Sequence, residues 1–72
     1  MEMIFNRKTI GQKIKTFRRK MGFTQAELAD IIGCGKQRIY YLEAGRREPL
    51  AVEVFNLAYV FGITMYDFGR VE

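Results

Sequence analysis

The side chains able to do covalent chemistry are few in this 72-residue chain. Cys34 is the one thiol, histidine and serine are absent, and the eight carboxylates are scattered with no pair placed for acid–base work. A thiol without an imidazole partner is a poor nucleophile. One cysteine and no histidine make neither a zinc site nor a disulfide framework, and no ligand-spaced acidic cluster offers a hard cation a place. Gly33-Cys34-Gly35-Lys36 suggests a phosphate loop, but position 30 is Asp where that motif needs Gly, position 37 is Gln where it needs Ser or Thr, and no strand precedes it. No enzymatic activity, metal or cofactor is therefore expected. Contact chemistry is what remains. At about 100° per residue, Ile39 and Leu42 mark one side of a helix while Lys36, Gln37, Tyr40, Tyr41 and Ala44 fan across the other. A lysine, a glutamine and two tyrosines serve plain solubility badly and a partner well, although either tyrosine would also serve as a stacked contact within the protein. Cys34 reads as a half-buried packing residue before it reads as a redox sensor.

The elements that must carry these residues are marked by repeated helix punctuation. Thr9-Ile10-Gly11-Gln12 has a capping-box pattern and Thr24-Gln25-Ala26-Glu27 a better one. Gly22, Gly33, Gly45 and Gly62 each follow an apolar-periodic run, as helix-ending glycines do. Pro49 suits a first helical turn, and Thr64-Met65-Tyr66-Asp67 suits the cap of a last short one. The expected fold is all-α, with five helices at about 9–21, 25–32, 36–44, 50–61 and 65–69, in a single domain over residues 1–72. In the first helix Ile10, Ile14, Phe17 and Met21 form the core stripe. Lys15 and Arg19 lie opposite, and Arg18 sits on the shoulder, free to turn inward. The fourth helix has two apolar sides: Val54, Leu57, Ala58 and Phe61 for the core, and Val52, Phe55 and Tyr59, with Val60 at the edge. A small domain has few internal partners left for a second side. That stripe reads as a dimer surface; the alternative is cover by the fifth helix and Ile4-Phe5.

Residues 24–45 thus form a capped eight-residue helix, a turn around Gly33 and a second short helix stopped by Gly45. Two short helices joined in this way make a helix-turn-helix, whose second helix fits the DNA major groove. The charge distribution agrees. Residues 1–47 carry eleven Lys and Arg against four Asp and Glu, whereas residues 48–72 carry one against four. One-sided basic fields of this kind suit phosphate binding, driven by counterion release; a solvated lysine-rich surface is the plainer account, and the Arg18-Arg19-Lys20 run equally suits a helix C-terminus. The longest apolar run, 57–61, is too short to span a bilayer, and Met3-Ile4-Phe5 is too short for a signal-peptide core. A cytoplasmic protein without a membrane partner is expected.

Over roughly residues 10–68 the sequence resembles the Cro/phage-repressor type of helix-turn-helix regulators, the XRE family. The matching features are Ile10-Gly11, Arg18, Thr24-Gln25 with Leu28-Ala29, Gly33, Ile39, Glu43, Gly45, Pro49 and the stretch from Leu57-Ala58 to Phe61-Gly62-Ile63. The resemblance implies a five-helix domain, of bacterial or phage source, that binds operator DNA as a two-fold dimer. It places Gln25 on the DNA backbone, Lys36, Gln37 and Tyr41 on base edges, and Arg46 and Arg47 on phosphate. Gln37 can pair with adenine, Lys36 can donate to guanine, and Tyr41 can pack on a thymine methyl. Arg38 on the flank and Tyr40 beside it are expected on the backbone. Arg18 and Glu43 match a structural arginine–glutamate pair that positions the recognition helix.

Three departures bear on the binding site. Gly35 stands where relatives usually cap the recognition helix with Ser or Thr, Ala44 replaces a frequent asparagine, and Leu50 replaces a small polar residue. Three functions fit the residues: a sequence-specific transcriptional regulator, an antitoxin that binds both its operator and a toxin, and a nonspecific nucleic-acid-binding module. A neighbouring toxin gene would favour the second, and salt-sensitive binding without sequence preference the third.

Overall fold

The computed structural model describes residues 6–69, and within them five helices: α1 (Arg7–Lys20), α2 (Gln25–Ile32), α3 (Lys36–Glu43), α4 (Ala51–Phe61) and α5 (Met65–Gly69). The all-α expectation holds, and three of its details need correction. α1 begins three residues earlier than its capping pattern suggests. The Asn6 side chain accepts from the Thr9 N–H at 2.8 Å, so Thr9 lies inside the helix and caps nothing. Pro49 precedes the helix instead of opening it. The Glu53 carboxylate accepts from the Leu50 N–H at 2.8 Å, which makes Leu50 the residue before the first turn. Met21, placed in the core stripe by its spacing, is the C-cap of α1 and 46% exposed, because the chain turns away there.

The other punctuation is used as read. Thr24 and Glu27 exchange side-chain and backbone hydrogen bonds at 3.0 and 2.8 Å, closing the capping box of α2. Thr64 and Asp67 do the same for α5 at 3.2 and 3.0 Å. Gly33 ends α2 at φ +82°, a left-handed conformation that glycine adopts without strain, and the chain turns there toward α3.

All five helices contribute to one core. Ile10 and Ile14 of α1, Leu28 and Ala29 of α2, Ile39 and Leu42 of α3, Val54, Leu57, Ala58 and Phe61 of α4, and Phe68 of α5 are buried together. Phe17, Phe61 and Phe68 meet with ring centroids 5.6–6.2 Å apart, joining α1 to α4 and α5, and the Lys13 ammonium donates to the Asp67 carbonyl at 2.8 Å. Gly11 lets α1 approach the end of α3. A Cβ there would overlap the Leu42 carbonyl oxygen and crowd that of Glu43. Cys34 is half-buried against the core.

The second apolar side of α4 stays open. Val52 and Phe55 are exposed by 59% and 58%, and Tyr59 by 81%. α5 therefore leaves this stripe uncovered, and Ile4-Phe5, the other expected cover, lie outside the described residues.

Candidate nucleic-acid interface

α3 is held from below and shows its other face to solvent. Ile39 and Leu42 are fully buried, while Lys36, Gln37, Tyr40 and Ala44 are exposed and Tyr41 is half-buried. This is the division that helical spacing implies. Gly35 occupies the N-cap with extended backbone and no side-chain bond, so the first turn of α3 carries no capping side chain between it and a ligand. Tyr40 and Tyr41 contact edge to face at 5.6 Å. The Arg47 guanidinium lies 5.7 Å from the Tyr41 ring centroid, within cation–π range. Arg46 and Arg47 are exposed on the segment that leaves α3, whose start is tied back by the Arg46 N–H donating to the Tyr41 carbonyl at 3.0 Å.

Beneath this face lies a buried polar node. Arg18 of α1 donates from Nε to Oε2 of Glu43 at 2.6 Å, from Nη2 to Oε1 at 3.1 Å and from Nη1 to the Phe23 carbonyl at 2.8 Å. Gln25, the first residue of α2, donates from Nε2 to Oε1 of Glu43 at 3.0 Å. The Arg18 and Glu43 side chains are 11% and 4% exposed. The hydrogen bond to Glu43 raises the guanidinium pKa, which burial alone would lower, so the cation stays charged inside the protein. Among the described residues every buried side-chain polar atom has a partner, and one carboxylate fixes the end of α3 to both α1 and α2.

A second arginine, Arg38 of α3 itself, ties that helix to α4. Arg38 donates from Nε to Oε2 of Glu53 at 2.9 Å, from Nη2 to Oε1 at 2.6 Å and from Nη2 to the Glu48 carbonyl at 3.2 Å. The hydrogen bond from Arg38 holds the Glu53 carboxyl below its usual value, with help from the Leu50 N–H and against the effect of burial. Burial first, and then Glu53, pushes the Cys34 thiol up, against the opposing effect of Arg38.

The structure thus gathers Lys36, Gln37, Tyr40 and Tyr41 on one face with Arg46 and Arg47 beside it. It ties Gln25 to Glu43, and it engages Arg38 with Glu53, away from the open position expected of a phosphate contact. Sequence reasoning missed Glu53. Its one visible signal is its place three residues after the N-cap Leu50 of α4, where an acid accepts from the helix N-terminus; nothing in the sequence pairs it with Arg38.

A family model for helix-turn-helix domains matches residues 14–68. An uncharacterised HTH-type transcriptional regulator of Sinorhizobium fredii (strain NBRC 101917 / NGR234) is 34% identical over 58 residues, which make up 81% of this chain and 75% of the relative. The clp gene regulator ClgR from Corynebacterium glutamicum has a similar fold, with TM-score 0.81 at 26% identity; the likeness covers 86% of this chain and 66% of that one. SinR, the master regulator for biofilm formation, solved in complex with DNA, is similar with TM-score 0.76 at 25% identity, over 82% of this chain and 95% of that one. No helix among the described residues is long and apolar enough to cross a membrane.

Proposed function

The chain belongs to the Cro/phage-repressor type of helix-turn-helix transcriptional regulators, and on that premise we propose that it reads a palindromic DNA operator as a homodimer, with α3 in the major groove. The observation that carries this reading is the outward face of α3. It offers an ammonium, a carboxamide and a tyrosine ring at Lys36, Gln37 and Tyr41 to base edges, on a helix whose underside is locked by Glu43. The major groove admits one helix and distinguishes all four base pairs. Gln25 at the positive end of α2, Tyr40, Arg46 and Arg47 are assigned to the sugar–phosphate backbone.

The stripe of Val52, Phe55 and Tyr59 supports pairing with a second copy. An exposed apolar surface of this kind marks an interaction site, and two-fold pairing would give two copies of α3 matched to an inverted repeat. The same stripe is what a toxin would cover if the protein were an antitoxin holding both its toxin and its operator. Selection from a random double-stranded DNA pool at near-physiological salt tests the reading. An enriched inverted repeat with half-sites about one helical turn apart supports the dimeric regulator. Absence of enrichment, with the protein folded, rejects independent sequence reading and favours the antitoxin or a nonspecific binder.

A further inference from the structure

We propose that Arg38 is a positioning residue which, with Glu53, clasps the connection between α3 and α4 and so presents Arg46 and Arg47 in a fixed place. This revises the expectation of Arg38 as a phosphate contact. The connection, residues 44–50, carries both arginines and is pinned at both ends. Its start is held by the Arg46 N–H on the Tyr41 carbonyl at 3.0 Å. Near its end the Glu48 carbonyl accepts from Nη2 of Arg38 at 3.2 Å, and the Leu50 N–H donates to Oε1 of Glu53 at 2.8 Å. The pair that makes these last two bonds is itself joined by two parallel hydrogen bonds at 2.9 and 2.6 Å. This is the planar fork that arginine forms with carboxylate and lysine cannot.

The two side chains are 28% and 14% exposed, so the pair is partly withdrawn from water and screened less than a surface ion pair. For Arg38 to turn Nε and Nη2 to a phosphate, both bonds would have to break and Glu53 would be left as an unpaired anion. Released from the clasp, the connection would keep its backbone ties to α3 and the Val54 N–H on the Leu50 carbonyl, and lose the two bonds that Arg38 and Glu53 make to it. Arg46 and Arg47 would then bind from an ensemble of positions. The inference rests on the proposed DNA reading only for what those two arginines touch; the clasp itself concerns this chain alone.

Amide hydrogen exchange of the whole protein, followed by NMR, is the first measurement. It compares the parent chain with Glu53→Gln and with Glu48→Gln, which makes the same charge change in the same region and keeps the Glu48 carbonyl. Glu53→Gln is expected to speed exchange at Leu50 about tenfold over the Glu48→Gln protein, as charge-assisted bonding is lost there. Equal exchange in the two variants overturns the clasp, whether or not the protein binds DNA. The second measurement is affinity for a mixed-sequence duplex. A clasp makes Glu53→Gln bind about threefold or more weakly than Glu48→Gln, since both lose one negative charge and one alone loosens Arg46 and Arg47. If Glu53→Gln binds as tightly as its control or more tightly, Arg38 has been freed for phosphate and the proposal fails. A parent protein that binds no duplex at any salt would reject the DNA reading, and the exchange data would still decide the clasp.

Discussion

Glu43, in the last turn of α3, receives Arg18 of α1 through two hydrogen bonds at 2.6 and 3.1 Å, with the carboxylate 4% exposed. The contact spans 25 residues of sequence and sits directly under the helix that carries Lys36, Gln37 and Tyr41. Its two partners are not equivalent. Arg18 has a further acceptor at the Phe23 carbonyl, whereas Glu43 without Arg18 keeps one donor, Gln25. Removing the cation should therefore cost more than neutralising the acid. We expect Arg18→Met to lower unfolding free energy by about 3 kcal/mol and Glu43→Gln by about 1–2 kcal/mol in urea titrations. Equal small losses would show the pair to be no better than a surface one.

Gln37 tests the base-reading face. Gln37→Ala should cost about 1–3 kcal/mol on the preferred site and relax the preference at one base pair, leaving affinity for unrelated duplex unchanged. Competition binding against single-base variants of the selected site measures it, and a uniform loss across all sequences would move Gln37 to the backbone.

Arg46 should behave in the opposite way. Arg46→Ala is expected to weaken every duplex alike and to flatten the dependence of log K on log salt by about 0.9, one phosphate contact. Loss confined to the preferred sequence would refute the phosphate assignment.

Phe55 and Tyr59 lie one helical turn apart on the open side of α4. The double substitution F55E/Y59E should leave the fold intact, since both side chains are mostly exposed, and convert a dimer to a monomer in sedimentation equilibrium. A parent protein that sediments as a monomer up to high micromolar concentration would remove the self-association reading.

Glu53 links stability to acid pH. Its carboxyl titrates lower in the folded protein than the usual 4.5, chiefly because Arg38 hydrogen-bonds the ionised form. A depressed folded pKa contributes stability that is present above the unfolded pKa and is lost as pH falls through the folded value. Thermal stability should decline as pH drops below about 4.5, and less steeply in Glu53→Gln. Parallel pH profiles for the two proteins would show that the pair adds nothing to the fold.

The helices were legible because their signals are local. Thr24 and Glu27, Gly33, Gly62, and Thr64 with Asp67 mark helix ends through contacts that span three or four residues. One helix end was misread: Asn6 caps α1, and Thr9, whose pattern marked the start, lies inside the helix. The outward face of α3 was legible for a similar reason: a 3.6-residue period allows only one side to hold both Ile39 and Leu42.

By itself, then, the sequence determined five helices, most of their faces and the uneven charge along the chain, since capping, periodicity and charge are properties of neighbouring residues. Tertiary structure alone decided that Glu53 holds Arg38 across 15 residues, that Gln25 joins Arg18 on Glu43, and that Val52, Phe55 and Tyr59 stay open. A long flexible arginine reaches several acids of similar chemistry, and which one it meets depends on the angles at which the helices pack. Those angles come from the shared core and from the close approach that Gly11 permits.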